Sequence, residues 1–325
     1  MPRPIASATD ATLTQLEAEL ATLDGAAPDG EARFIPGFWS ARGRADFPPP
    51  AVSDPAAWDG SAHLHVRLVP AGATAREQKQ LLARWIEALP TLRGVTMLWI
   101  GGTVPQALFD AACALPGLVG MHLVTNRVRD LSALRDATSL RYLDLGASSY
   151  VESLEPLRAL TALEWLQVES PVKAFDVAPL GDLRALRGLG FVGAEAKKWT
   201  VPSLSPLAEL TGLHWLHLGG VHVADGSIRP LGALRALEWL GLANVFAMEE
   251  FAWLSTRLPT THCDWLQPYC RFHRSVFPCA KCRRNARVMT SGKGARLLCP
   301  SCDTRALARH VHAFRQAEAD AARTA

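Results

Sequence analysis

From Leu160 to Val168 the chain reads Leu-Thr-Ala-Leu-Glu-Trp-Leu-Gln-Val, with its apolar anchors at Leu160, Leu163, Leu166 and Val168. A spacing of three suits a turn that packs one side inward, and the final spacing of two is the alternation of a short strand. The frame recurs, opening at Leu92, Leu115, Ala137, Leu160, Leu183, Leu210 and Leu234, in steps of 23, 22, 23, 23, 27 and 24 residues. The inward sets Leu210, Leu213, Leu216, Leu218 and Leu234, Leu237, Leu240, Leu242 repeat it. Apolar residues six and three places upstream, such as Leu154 and Leu157 or Leu204 and Leu207, extend each copy. Seven copies predict a tandem array with one strand per unit, the strands stacked in parallel with short helical turns on the outer side.

The flanks follow other patterns. Leu13, Leu16, Leu20 and Leu23 predict a short amphipathic helix over 10–23, capped by Thr9 or Asp10. The Pro/Gly-rich stretch that follows, with Pro48-Pro49-Pro50, completes an irregular flank over 1–61, in which Trp39 and Trp58 pin parts of the chain by surface contact. Residues 62–91 read as an N-terminal cap, with a strand at His63–Leu68 and a helix at Ala75–Leu89 that presents Leu81, Leu82, Trp85, Ile86 and Leu89. The array with its own C-terminal cap spans 92–268, its last part built from Phe251, Trp253, Leu254 and Leu258 and a final strand through Cys263 and Trp265.

Strand alternation aims the residues between the inward leucines at the concave face. One row there reads Met97, Gly120, Tyr142, Trp165, Gly188, Trp215, Trp239, and the next reads Trp99, His122, Asp144, Gln167, Gly190, His217, Gly241. With strands about 4.8 Å apart, Tyr142 and Trp165 are expected as neighbours, as are Trp215 and Trp239. Gly188 and Gly190 predict a dip between the two pairs. Such an aromatic row can simply cover the sheet. It can also serve a partner, since tryptophan and tyrosine dominate interface hot spots. The second reading makes Tyr142, Trp165, Trp215 and Trp239 the partner-binding residues, with Asp144, Gln167, Glu169 and His217 orienting polar groups.

The period and pattern resemble the leucine-rich repeat family over about residues 92–268. The unit Leu118–Asn126, followed by Val128 and Asp130-Leu131, is similar to the bacterial internalin-type repeat, with Asn126 at the family's ladder position. Ser148, Pro171 and Val221 stand at that position in other units, so a continuous asparagine ladder is not expected. The resemblance implies an α/β solenoid: a leucine-rich-repeat horseshoe with parallel strands on the concave face. It is nearly silent on ligand.

Gly188-Leu-Gly-Phe-Val-Gly193 matches the dinucleotide-binding fingerprint letter for letter, yet Leu189 and Phe191 are inward strand residues and no helix opens after the last glycine. The next unit is longer, carrying Ala194–Val201 with Lys197, Lys198 and Trp199, either as an inert bulge or as part of the binding surface.

Charge is divided along the chain. Residues 1–270 hold 22 Lys/Arg against 28 Asp/Glu, and residues 271–325 hold 12 against 3, so the net +3 arises from the C-terminal sixth. Cys279-Ala-Lys-Cys282 and Cys299-Pro-Ser-Cys302 lie in that segment, 16 residues apart. Each pair can wrap a metal in a tight knuckle, and four thiolates favour tetrahedral Zn²⁺, with iron as the alternative for the same donor set. Ala286–Met289 and Ala295–Leu298 flank the turn signal Ser291–Gly294, which predicts a hairpin between the knuckles. Cysteine spacing and hairpin together resemble the zinc-ribbon family, departing at Arg283 and Asp303, where many knuckles place glycine. With four protein ligands the site is closed, and so structural. Cys270 and His273 do not assemble a second metal site, and Cys113 reads as core.

Residues 269–325 thus form a small ribbon followed by a helix over Thr304–Ala322. Arg283, Arg284, Arg287, Lys293 and Arg296 crowd the hairpin, either as a solvated face or as phosphate contacts for nucleic acid; Phe314, Phe272 and Phe277 are the stacking surfaces available to bases. Cysteines gathered in two Cys-x-x-Cys pairs fit a reducing cytosol. The first residues carry no apolar run fit for a signal peptide, and no uninterrupted apolar stretch reaches membrane-spanning length, so a cytoplasmic protein without membrane contact is expected. No catalytic motif is present. The leading expectation is a non-enzymatic scaffold that binds a protein partner on its concave face and carries structural zinc. The alternative is a nucleic-acid-associated factor whose basic ribbon contacts RNA or DNA.

Overall fold

The inward positions of the repeat are the core. Leu115, Ala137, Leu160, Leu183, Leu210 and Leu234 are all buried, and the first frame opener, Leu92, is half-buried. The computed structural model describes residues 48–193, 199–271, 278–283 and 287–323. The expected helix at 10–23, Trp39, Lys197, Lys198, Phe272, His273, Phe277, Arg284 and Ala286 lie outside the described residues.

The strands in chain order are β1 (His63–Arg67), β2 (Met97–Val104), β3 (Gly120–Asn126), β4 (Tyr142–Leu145), β5 (Trp165–Glu169), β6 (Gly188–Val192), β7 (Trp199–Val201), β8 (Trp215–Gly219), β9 (Val221–Val223) and β10 (Trp239–Leu242). Eight of them form one sheet in the order β1-β2-β3-β4-β5-β6-β8-β10, and β7 pairs with β9 in a second, parallel pair. From β4 to β8 the large sheet is parallel and its register steps by one repeat, as in Tyr142↔Trp165↔Gly188↔Trp215. Parallel neighbours one repeat apart, with the leucines of each unit closed over by the next, are the architecture of a leucine-rich repeat solenoid.

Between strands the chain makes short 3-10 turns at Ser132–Asp136, Glu155–Ala159, Ala178–Asp182, Ser205–Glu209 and Arg229–Ala233. Proline at the start of several of them (Pro156, Pro179, Pro206) presets the backbone and removes an N–H that has no partner in a first turn. Successive turns pack on one another, as the Leu154/Leu157 and Leu204/Leu207 pairs require. Asn126 works as the ladder residue the repeat pattern implies. Buried, it donates to Gly146 O at 2.6 Å and Ser148 Oγ at 3.0 Å, and accepts from Val128 N–H at 3.2 Å. Ser148 takes over in the next unit with a shorter reach, donating to Leu145 O.

Helix α1 (Ala75–Ala88) opens with a capping box between Thr74 and Glu77 and buries Trp85, whose indole donates to Ser53 O at 2.8 Å. Trp58 is pinned locally through its indole N–H to Ser61 O. Helix α2 (Gln106–Cys113) buries Cys113, whose thiol pKa is driven up by burial and which is inert core. The Gly188–Gly193 run is strand β6, with Leu189 and Phe191 inside. Trp199, considered as part of a binding loop, is instead core: it is 1% exposed, tilts against Phe191 at 4.6 Å and donates to Ala174 O.

The chain divides into two compact units, Ile35–Asp225 with Ala233–Trp239, and Gly226–Gly232 with Leu240–Ala325. The second contains α3 (Met248–Arg257), a three-stranded antiparallel sheet of β11 (Tyr269–Arg271), β12 (Val288–Thr290) and β13 (Leu297–Leu298), and α4 (Thr304–Arg323). The expected hairpin is present as β12 and β13, shorter than its apolar residues suggested. The third strand, β11, carries no alternation long enough to be read. The strand expected through Cys263 and Trp265 does not form: His262 makes a single bridge to Leu240, and the chain then turns, with Trp265 donating to Leu242 O.

Candidate functional site

The strand registers place the two concave rows as the repeat aligns them, and the side chains then depart from expectation. No dip exists at Gly188. The ring of Trp165 leans across that glycine, where a Cβ would overlap it, and stacks on Trp215 at 5.0 Å and 22°. Trp215 stacks in turn on Trp239 at 5.2 Å and 8°. Gly190 lies beneath Trp215, where a Cβ would sit only 3.2 Å from the ring. Two glycines of β6 therefore let three tryptophans from β5, β8 and β10 close into one stack. Trp215, in the middle, is 8% exposed, while Trp165 and Trp239 are half-buried.

His217 completes the stack, its ring 23° from that of Trp215 at 6.0 Å and 23° from that of Trp239 at 5.8 Å. Burial holds its pKa down to about 4, so the ring is neutral near pH 7. Three nitrogens in this cluster, Trp165 Nε1, Trp215 Nε1 and His217 Nδ1, are buried without a hydrogen-bond partner among the described residues. An unmet buried N–H costs about 1–3 kcal/mol, so the two enclosed indole N–H groups are a polar cost inside the stack.

The other half of the face is a polar relay. Asp144, expected to meet a partner directly, is buried and pairs with His122 Nδ1 at 2.8 Å. His122 stacks on Trp99 at 3.7 Å, and His65 meets Trp99 edge-on. Trp99, His122 and His65 were not singled out from the sequence, although the row alignment already set His122 beside Asp144. Tyr142 donates to Glu164 at 3.2 Å, Glu169 accepts the Ala147 N–H at 3.1 Å, and Gln167 is half-buried between the two halves.

The second candidate site is the cysteine cluster. Sγ atoms of Cys279, Cys282, Cys299 and Cys302 all lie within 4.8 Å of one another, with Cys282 and Cys299 at 3.7 Å. The backbone N–H groups of Cys282 and Lys281 point at Cys279 and lower its thiol pKa to about 6. Burial raises the Cys299 thiol pKa, although the backbone N–H groups of Cys302 and Ser301 point at its sulfur. Both knuckles thus direct donors at their leading sulfur, an arrangement that suits thiolates. Arg283, at a position where many such knuckles place glycine, adopts a positive φ of 62°, so the tight knuckle is kept at the cost of backbone strain. Asp303 acts differently. Its carbonyl accepts the first helical N–H bonds of α4, and its carboxylate holds Cys299 N–H and Lys281 Nζ, both at 3.0 Å. The residues fit a metal ion with four sulfur ligands.

Of the basic residues, Arg283, Lys293 and Arg296 are exposed, and Arg287 is half-buried with its Nε enclosed. Phe314 is fully buried in α4 and offers no surface for a base, which corrects the expectation from sequence. No described helix is long and apolar enough to cross a membrane.

No protein-family model matches the sequence, and no curated protein does. Among solved structures the chain is similar to internalin C2 of Listeria monocytogenes, with 21% identity and a TM-score of 0.42, covering 55% of this chain and 80% of that one. It is also similar to a leucine-rich repeat protein of Leptospira interrogans, with 14% identity and a TM-score of 0.46, covering 65% and 51% of the two chains. A third similarity is to a plant peptide hormone receptor solved with its peptide, with 14% identity and a TM-score of 0.40, covering 62% and 34%.

Proposed function

We propose that this chain is a non-enzymatic scaffold that binds a protein partner on the face carrying Trp165, Trp215, Trp239 and His217. The observation that carries this reading is the continuous stack of three tryptophans on the concave row, whose end rings, Trp165 and Trp239, keep exposed surface. The indoles supply the apolar area typical of interface hot spots. The test is to recover proteins bound by the full chain, then measure their affinity for the tryptophan variants.

The cysteine cluster takes Zn²⁺ in a structural role. Zinc bonds to sulfur of about 2.3 Å set tetrahedral sulfurs about 3.8 Å apart, and the spacing of Cys282 and Cys299 supports that fit. A site that needs reduced thiolates favours a reducing compartment, the cytoplasm. A second reading, contact between the ribbon and nucleic acid, draws support from the exposed Arg283, Lys293 and Arg296. It requires that the full chain bind RNA or DNA with an affinity that falls steeply with salt.

A further inference from the structure

The cysteine module is joined to residues 244–258 by side-chain and backbone hydrogen bonds, all within the second compact unit. The Ser291–Gly294 turn between β12 and β13 docks on residues 244–248. Asn244 donates to Thr290 O at 2.9 Å and accepts Gly292 N–H at 2.6 Å, and Lys293 N–H reaches Phe246 O at 2.6 Å. Gly292 has φ +104°, and a Cβ there would sit 2.8 Å from Met248 Cα, so the approach admits glycine alone. On the other side, α4 packs along α3, with Ser255 Oγ donating to Glu318 at 2.8 Å.

Helix α3 in turn holds the outer turn of the last repeat. Glu250 accepts Ile228 N–H and Ser227 Oγ, both at 2.9 Å, and pairs with Arg229 at 2.8 Å. Trp253 fills the space above Gly232 and lies against Arg229 and Arg257. Apart from Phe314 and Ala321, buried further along α4, the module has one small core cluster of Val288, Leu298, Leu307, Ala308 and Val311, with Tyr269 and Ala306 at its edge. A core of that size cannot hold a three-stranded sheet by burial alone, and small modules of this kind draw their folding energy from a metal.

We propose that metal bound by Cys279, Cys282, Cys299 and Cys302 works as a clasp on the last repeat, so that α3 and the 226–232 turn are secured only in the metal-loaded protein. The proposal rests on the metal reading above. The metal fixes the end of β13 and the start of α4, since Cys299 follows β13 directly and Asp303, which immediately precedes α4, holds Cys299 N–H. The hairpin's turn then holds α3.

The experiment is amide hydrogen exchange on the full chain, loaded with zinc, after chelation and after zinc is restored. Peptides covering Met248–Arg257 and 226–232 should exchange at least about tenfold faster without metal and recover when it returns. Peptides from β2 to β5 should not change. Gly292→Val, which breaks the docked turn and leaves every cysteine in place, should keep its metal and still expose α3. Metal-bound protein whose faster exchange after chelation stays within 278–302, with α3 protected, overturns the clasp alone. Protein that takes up no metal overturns the metal reading and the clasp together.

Discussion

The ring of Trp165 occupies the space above Gly188 that a side chain at that position would fill. This one relationship joins Trp165 to the Trp215–Trp239 pair, from which it was expected to stand apart, in a continuous stack on β5, β8 and β10. It also makes Gly188 and Gly190 shape that surface by their lack of side chains.

Gly188→Ala tests that relationship. The added methyl displaces the Trp165 ring and separates it from Trp215. Overpacking of this kind costs about 1–3 kcal/mol, and stacked pairs contribute about 0.5–1.5 kcal/mol beyond burial. Denaturant unfolding should show a loss in that combined range, and partner affinity should fall with it. A variant as stable as the parent would mean that the ring can move aside freely.

Acid should weaken the fold through His217. Its folded pKa lies near 4, below the ordinary value of about 6.5. Between these values the unfolded chain binds a proton that the folded chain does not, so stability falls as pH falls through that window. Burial lowers His65 and His310 as well, and they act in the same direction. Replacing His217 with leucine should remove on the order of 2 kcal/mol of the difference in unfolding free energy between pH 7 and pH 5. An unchanged difference would show that the ring is solvated.

The repeat rows were legible because alternation by two and a repeat of nearly constant length leave one register for the sheet. Tyr142, Trp165, Gly188 and Trp215 fall in line for that reason. The lean of Trp165 was not legible, since it depends on the missing Cβ of a residue one repeat away. The burial of Asp144 could have been read from its place beside His122, whereas β11 has only three residues and no apolar rhythm. The four cysteines were plain from spacing. The anchoring of their module through Asn244 and Gly292 was not, because it joins groups 48 residues apart.

Metal analysis of freshly purified protein should find about one zinc per chain, and Cys279→Ser should lose it. Structural zinc contributes about 10–16 kcal/mol in small zinc-finger peptides, so chelation should unfold the ribbon while the strands of the array persist by circular dichroism. Iron in place of zinc would keep the site and change the metal. Protein without either metal would contradict the site.

The central claim is that the tryptophan stack binds a partner, and the stack makes the three rings unequal. Trp215 is enclosed on both faces, so Trp215→Ala should cost about 3–5 kcal/mol of stability. Trp165 and Trp239 end the stack and keep exposed surface, so they separate folding from binding. The most direct measurement is the dissociation constant of a recovered protein partner for Trp165→Ala and Trp239→Ala, taken beside the melting temperature of each variant, with Arg158→Ala as a control away from the stack. The account predicts that at least one of the two loses about 2 kcal/mol or more in binding, roughly thirtyfold, with only a small change in melting temperature, while Arg158→Ala changes neither. Melting temperatures that fall while both dissociation constants stay at the parent's value would contradict it.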